Sequence, residues 1–268
     1  MEINTTDEIK KDVPEAEQIP EKKTADKITE GLSDSVKKRR AVLKWLAITF
    51  LIGAIILGLL YFQIPTRLIA KGYPVQGIDV SHYQGQIDWQ QMREQGIGFA
   101  YIKATEGSSY VDECYEQNMT DAVNAGIAAG AYHFFSFDSP GVTQAEHFIQ
   151  TVGEDGTLIP VVDVEYYGNK RKNPPEAEAV RRELTELLQI LEAQYGCKPM
   201  IYSTQPFYQR FLEGYFEDYP LWIRGVYLPP MQDNAVWQYS DLLQLNGMSG
   251  EEKYVDGDVC RELGQILR

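Results

Sequence analysis

An uncharged, apolar run at residues 45–62 divides this chain into two parts of different character. The run reads WLAITFLIGAIILGLLYF, and a membrane-spanning helix needs about 20 apolar residues. A cleaved signal peptide fits less well, because a long polar segment precedes the run and no A-x-A site follows it. We therefore expect residues 41–62 to form an uncleaved transmembrane signal anchor.

The charges on either side of the run predict its orientation. Residues 37–40 read KKRR just before it, whereas Arg67 and Lys71 are the only basic residues soon after it. The positive-inside rule places the N-terminus in the cytoplasm and the larger, C-terminal part outside a bacterial cytoplasmic membrane. Residues 1–40, rich in Glu, Lys, Asp and Thr, are expected to be a disordered tail, and residues 63–76 a short stalk.

The composition excludes several classes of partner. The formal net charge is −14, which argues against nucleic acid as a ligand. The three cysteines are an odd number without metal-like spacing, so we expect buried thiols and at most one disulfide. The three histidines show no metal-binding pattern either, and His82 is expected to form a hydrogen bond near Asp79. No metal ion or cofactor is predicted.

Strand-like and helix-like patterns alternate through the outer part of the chain. Five predicted strands are each followed by a predicted helix, and three further strands follow without convincing helices between them. The predicted strands cover residues 77–81, 99–105, 127–135, 159–165, 199–204, 221–226, 236–240 and 254–259. This order predicts an α/β fold over residues 77–268, an irregular (β/α)5β3 barrel related to the eightfold barrel.

Two carboxylates in the fourth predicted strand are the strongest functional signal. Residues 161–165 read VVDVE, and the i, i+2 spacing directs Asp163 and Glu165 to the same side of a strand. Paired acids of this kind carry out glycoside hydrolysis. A solvent-facing strand edge with two solvated acids is the alternative, which the surrounding apolar residues disfavour. In a barrel, Asp79 in the first strand and Asp256 in the last would join them at the upper face.

Nine short motifs then resemble the family 25 glycoside hydrolases, the Chalaropsis-type lysozymes or N-acetylmuramidases. They are GIDVSHYQG (77–85), IDW (87–89), YIKATEG (101–107), GAYHFF (130–135), PVVDVE (160–165), IYS (201–203), LWI (221–223), VWQYS (236–240) and VD (255–256). The resemblance implies a flattened (β/α)5β3 barrel that hydrolyses the β-1,4 bond from N-acetylmuramic acid to N-acetylglucosamine. It also implies that the family's four site acids correspond to Asp79, Asp163, Glu165 and Asp256. This chain departs from the family pattern at Asp258, where the family often has Asn.

Chemistry suggests a role for each acid. Glu165 is the expected general acid, since apolar walls and neighbouring acids would keep it protonated. Asp163 either attacks the anomeric carbon or orients the 2-acetamido group of the substrate, and both routes retain configuration. We favour the second. Asp79 and Asp256 are expected to support Asp163 or the substrate, although backbone N–H groups at a strand end could instead satisfy them.

Aromatic rings are the other expected part of a sugar site, since their faces stack on pyranose rings. Aromatic residues on strands more often belong to the core, so Tyr132 and Trp237 are the favoured pair. The full set of candidates is Tyr132, Phe134, Tyr166, Trp222, Trp237 and Tyr239.

The leading hypothesis is a membrane-tethered muramidase that acts on peptidoglycan glycan strands outside the cell. Its contact with the cytoplasmic membrane would be made through residues 41–62. A catalytically inactive glycan-binding barrel is the rival, and the four acids argue against it. A chitinase-like glucosaminidase is a third reading, disfavoured because the D-x-x-D-x-D-x-E series is incomplete.

Overall fold

The computed structural model describes residues 21–268, so the first half of the predicted disordered tail lies outside the described residues. The described part begins with helix α1 (Glu21–Tyr61). Residues 21–40, which the sequence predicts to be disordered, are helical here. No proline lies between Pro20 and Pro65, and apolar residues recur every four positions at Ile28, Leu32 and Val36, a spacing that favours a helix.

Helix α1 contains the apolar run. Within the described residues, its segment Lys27–Tyr61 is the one helix long and apolar enough to cross a membrane, and an 18-residue stretch of it has a mean hydropathy of 2.3. These criteria are length and composition alone.

The remainder is built on one sheet. Its strands are β1 (Val75–Val80), β2 (Ile97–Glu106), β3 (Tyr110–Val111), β4 (Ala128–Phe134), β5 (Val161–Asp163), β6 (Met200–Thr204), β7 (Leu221–Arg224), β8 (Val236–Leu243) and β9 (Val255–Cys260). The strand order is β1-β9-β8-β7-β6-β5-β4-β2-β3, and β1 also pairs with β2. This last pairing closes eight of the described strands into a barrel-like sheet, and β3 is a short addition on the end of β2. The fold is therefore α/β with an eight-stranded barrel-like sheet, as the sequence predicts.

Helix α2 (Ile64–Ala70) precedes the first strand. The later helices each follow a strand, and they are α3 (Trp89–Glu94), α4 (Tyr115–Asn124), α5 (Gly141–Val152), α6 (Ala177–Tyr195) and α7 (Gln205–Phe207). Asp88 caps α3, because its carboxylate accepts a 3.0 Å bond from the Gln91 N–H. Pro140 is the N-cap residue of α5.

Alternation along the strands separates two kinds of packing. One set of strand residues packs against the helices, where α6 contributes Leu184, Leu187, Leu188 and Leu191, all fully buried. The other set fills the barrel with an apolar cluster that includes the aromatic residues Phe99, Tyr101 and Trp222. Gly77 permits this filling, since a Cβ there would lie 2.3 Å from the Phe99 ring. The barrel interior is thus filled with apolar side chains, and polar residues lie at the C-terminal ends of the strands.

Candidate active site

A cavity of about 230 Å³ opens at the C-terminal ends of the parallel strands, and all four predicted acids line it. Asp79 on β1 and Asp256 on β9 are direct partners across the antiparallel pair. Asp163 ends β5, and Glu165 lies two residues beyond it. The closure of the sheet therefore brings together acids that are up to 177 positions apart in the sequence, Asp79 and Asp256 being the extremes.

The backbone after β5 stays extended and aims both acids of the VVDVE run at the cavity. The Asp163 carbonyl accepts a 2.8 Å bond from the Phe135 N–H, and the Val164 N–H donates a 3.0 Å bond to the Tyr202 carbonyl. Asp163 is only 9% exposed, and its Oδ1 has no hydrogen-bond partner among residues 21–268. A buried carboxylate oxygen without a donor is available to a substrate group.

Burial and mutual repulsion keep these acids protonated at unusually high pH. Burial is the main cause that raises the pKa of Glu165 to about 7, with Arg224 opposing and Asp79 adding to the rise. The pKa of Asp163 lies well above its usual range because of burial and the nearby charges of Glu165 and Asp79. Such a site holds a proton-donating carboxyl at neutral pH.

A glutamine links two of the acids. Gln238 Nε2 donates to Asp79 Oδ2 at 2.8 Å and to Asp256 Oδ2 at 3.3 Å. Its own Oε1 accepts a 2.9 Å bond from the Tyr202 hydroxyl. Burial raises the pKa of Asp79 to about 6, while the bond from Gln238 works against that rise. Sequence reasoning missed Gln238 and Tyr202, although alternation along β6 and β8 turns both towards the barrel interior.

Asp258, the departure from the family pattern, lies directly behind this network. It is fully buried, and its Oδ1 accepts a 2.8 Å bond from the indole Nε1 of Trp222. Its Oδ2 is buried without a hydrogen-bond partner among the described residues. Burial and the charge of Asp79 raise the pKa of Asp258 well above its usual range, so this carboxyl keeps its proton to unusually high pH.

One cation contributes to the cavity wall. Of the described residues that line it, Lys103 alone carries a positive charge. Its Nζ lies 2.7 Å from Glu106 Oε2 and 5.0 Å from the centre of the Phe134 ring. Lys103 was also missed, although it lies within the YIKATEG motif.

The structure divides the six predicted aromatic residues into three groups. Tyr132, Phe134 and Trp222 line the acidic cavity. Tyr166 lines a second cavity instead.

Trp237 and Tyr239 are in neither cavity, so the prediction that favoured Trp237 as a sugar contact does not match the structure. Both pack outside the barrel with Ala70 and Val259, against Tyr73. The reason is the two-residue period of a strand: Gln238, between them, faces inward, and its neighbours face outward.

The second cavity, of about 780 Å³, adjoins the first at the proposed acid. Glu165 lines both, and the larger cavity continues past Tyr166, Arg171 and Arg224 to Tyr227. Glu165 therefore lies at the boundary between a deep acidic cavity and a wider one whose wall carries two arginines.

Other predicted groups lie outside these cavities. His82 Nδ1 contacts Asp112 Oδ2 at 2.8 Å, so its partner is not Asp79 as expected. The three cysteines are free in the described structure, with Cys260 buried and Cys114 and Cys197 partly exposed.

Residues 78–248 match the model of the family described as Glycosyl hydrolases family 25. The chain belongs to this family. The predicted resemblance and the predicted enzyme class, a glycoside hydrolase of the lysozyme (muramidase) type, are thereby confirmed.

This family 25 hydrolase is also similar to individual proteins in sequence and in structure. The uncharacterized protein YegX of Escherichia coli (strain K12) is 38% identical over 192 residues, which cover 68% of this chain and 69% of that protein. Lysozyme M1 of Streptomyces globisporus is 35% identical over 198 residues, covering 66% and 65%. A solved family 25 glycosyl hydrolase from Bacillus anthracis superposes with a TM-score of 0.67 at 43% identity, covering 71% of this chain and 90% of that one.

Proposed function

We propose that this family 25 hydrolase is a membrane-anchored lysozyme that cleaves bacterial peptidoglycan at the β-1,4 bond from N-acetylmuramic acid to N-acetylglucosamine, with retention. The observation that carries the proposal is the position of Glu165. It lies between two cavities, next to a carboxylate with an unpaired oxygen, and its pKa of about 7 suits a proton donor.

The two cavities suggest how a glycan strand lies. A sugar that develops positive charge belongs in the cavity lined by Asp79, Asp163 and Asp256, since carboxylates stabilise an oxocarbenium-like transition state. The leaving sugar then lies in the wider cavity past Tyr166. Glu165, at the boundary, protonates the bridging oxygen and afterwards removes a proton from the attacking water.

Asp163 acts on the other side of the scissile bond. We favour a route in which its free Oδ1 orients the 2-acetamido group, whose oxygen attacks the anomeric carbon. Direct attack by Asp163 is the alternative, and both routes retain configuration. Asp79 and Asp256 take supporting roles, fixed by the Gln238 amide that contacts both.

We also propose that the sheet and helices form a (β/α)5β3 barrel and that α1 anchors it in a membrane. A (β/α)5β3 description is supported because β1, β2, β4, β5 and β6 each precede a helix, whereas β7–β9 follow one another and β9 runs antiparallel to its neighbours. Anchoring through residues 41–62 is supported by the hydropathy of α1 and by the basic residues 37–40. The enzymatic domain would then act outside the cytoplasmic membrane, on peptidoglycan strands within reach of its anchor.

The test of the activity uses the full chain in detergent micelles with purified peptidoglycan. After borohydride reduction, mass spectrometry identifies the sugar at each new reducing end. Reduced muramic acid, absent with Glu165→Gln, would support the proposal. Reduced glucosamine would reassign the bond, and binding without any product would indicate a glycan-binding barrel.

Stereochemistry and topology need separate measurements. NMR of the first product anomer, before mutarotation, should show the β form. In bacterial cells with intact cytoplasmic membranes and opened walls, added protease should remove the barrel and spare a tag at the N-terminus. An α anomer would contradict retention, and a barrel protected from protease would contradict the orientation.

A further inference from the structure

Gln63, two residues after the end of α1, adopts an unusual conformation for a buried residue. Its φ is +54°, the left-handed region that residues other than glycine rarely adopt. It is 1% exposed, and its side chain is fully engaged. The Oε1 accepts bonds from the Ser240 hydroxyl at 2.8 Å and the Asp241 N–H at 3.3 Å, while Nε2 donates to the Asp241 carboxylate. Strain of this kind persists where surrounding contacts determine it.

The segment that follows Gln63 is fixed to the barrel. The Thr66 hydroxyl donates a 2.9 Å bond to the Val226 carbonyl, beyond the end of β7. Ala70, at the end of α2, is 1% exposed and packs against Trp237 and Tyr239 of β8. The residues predicted to form a stalk therefore cover one side of the sheet.

Gln63 reaches the catalytic region through two charged groups. Asp241, which accepts from Gln63, also forms an ion pair with Arg224. Arg224 ends β7 and lines the wider cavity together with Glu165. Its positive charge is the main influence that opposes the raised pKa of Glu165.

We infer that Gln63 is a positioning residue for the catalytic acid, holding Asp241 against Arg224 and thereby restraining Arg224 beside Glu165. This inference rests on the proposed function of Glu165 as the acid. It makes the segment next to the predicted membrane anchor part of the support of the active site.

The direction of the effect follows from the charges around Glu165. The titratable and charged groups that act on it come from five strands or their ends: Asp79, Asp163, Tyr202, Arg224 and Asp256. Arg224 is the only cation in this set of described residues, and Asp241 from β8 is its ion-pair partner. Asp241 is one-third exposed, so without Gln63 it can turn to solvent. Arg224 then interacts with Asp256 and Glu165 without its ion-pair partner, and it stabilises the charged form of Glu165 more strongly.

The test compares three variants of the full chain in detergent. Gln63→Gly removes the amide and suits the left-handed backbone. Thr66→Val removes the hydroxyl that bonds the carbonyls of Val226 and Gln63, and it keeps the Gln63 side chain. Asp241→Asn removes the charge next to Arg224. We expect the basic limb of the kcat/KM–pH profile to move to lower pH by about half a unit to one unit in Gln63→Gly and Asp241→Asn. Thr66→Val should lower the melting temperature and leave the limb in place. The double variant Gln63→Gly/Asp241→Asn should shift no further than either single variant.

Two outcomes would overturn the inference. One is an unmoved limb in Gln63→Gly, with only the stability loss seen in Thr66→Val. The other is additive shifts in the double variant. If the wild-type chain does not hydrolyse peptidoglycan, the proposed function fails, and the melting temperature measured from pH 5 to 8 still tests the linkage. A lower pKa of Glu165 would make the stability deficit of Gln63→Gly shrink as pH rises, and a constant deficit would refute the linkage.

Discussion

The indole Nε1 of Trp222 and the Oδ1 of Asp258 form a 2.8 Å hydrogen bond inside the barrel, behind the catalytic acids. The other oxygen of that carboxyl, Oδ2, is buried without a hydrogen-bond partner in the described structure, and burial together with the charge of Asp79 raises the pKa of Asp258 well above its usual range. An asparagine would keep an oxygen for the Trp222 N–H and carry no charge. The carboxyl serves as a neutral hydrogen-bonding group, although its residue type suggests a charge.

The first prediction concerns Asp258→Asn. The amide oxygen can accept the same bond from the Trp222 N–H, so activity should stay close to that of the wild type. In the wild type the folded-state pKa of Asp258 is raised, so its contribution to stability is present at low pH and is lost as pH rises through that pKa. Asparagine does not titrate. The stability of Asp258→Asn relative to the wild type should therefore increase from pH 4 to pH 8, as measured by thermal melting.

Asp258→Leu is the control for this prediction. It leaves the Trp222 N–H without an acceptor, which should cost about 1–3 kcal/mol of folding free energy. If Asp258→Asn were as damaging as Asp258→Leu, the idea of a neutral carboxyl at this position would be wrong.

The second prediction is that Glu165→Gln lowers kcat by about 10²- to 10⁴-fold, because general acid catalysis contributes that much. Glutamine keeps the shape of the side chain and removes the proton donor. Folding should be preserved, since the substitution removes a buried acid surrounded by other acids. The measurement is release of reducing ends from soluble peptidoglycan fragments, with melting temperature alongside.

Glu178→Gln, an exposed change in the first turn of α6, is the matched control and should retain full activity. Turnover by Glu165→Gln at the rate of this control would remove Glu165 from its assigned role.

The third prediction concerns the pH profile of the wild type. Glu165 must be protonated, and its pKa of about 7 places the basic limb near pH 7. Asp79 is needed in its charged form, and its pKa of about 6 places the acid limb near pH 6. We therefore expect a narrow bell-shaped curve when kcat/KM is plotted against pH, with its limbs near pH 6 and pH 7. The two groups interact, so each limb reports the coupled set of acids. Asp79→Asn should flatten the acid limb, and an acid limb unchanged in that variant would show that another group controls it.

Much of the fold and of the acidic site could be predicted from the sequence. The residues that were missed or misplaced have physical explanations. The i, i+2 spacing of Asp163 and Glu165 was sufficient to place both in one cavity, since the strand period is two. The same period, applied to β8, would have turned Gln238 inward and Trp237 outward, but an aromatic residue suggested sugar stacking more strongly than an amide did.

The contacts of Gln63 could not be predicted in this way. They depend on a residue with positive φ and on pairing with Asp241, 178 positions later in the chain. No local pattern in residues 63–76 specifies that contact, and a short segment between an apolar run and a folded domain is more often a linker. Long-range side-chain pairing of this kind becomes visible only once the sheet has closed.

The fourth prediction separates two tryptophans that the sequence treats alike. Trp222 lines the acidic cavity and donates to Asp258, whereas Trp237 is fully buried outside the barrel and donates a 3.0 Å bond to the Gly225 carbonyl. Replacement by phenylalanine removes one buried N–H in each case and should cost about 1–3 kcal/mol of folding free energy in both. Trp222→Phe should also lower kcat, because it changes the wall of the acidic cavity and leaves Asp258 Oδ1 without its donor. Trp237→Phe should leave kcat and KM unchanged once the chain is folded. Steady-state kinetics at a temperature well below both melting transitions would distinguish them, and a higher KM in Trp237→Phe would show that this ring contacts the glycan after all.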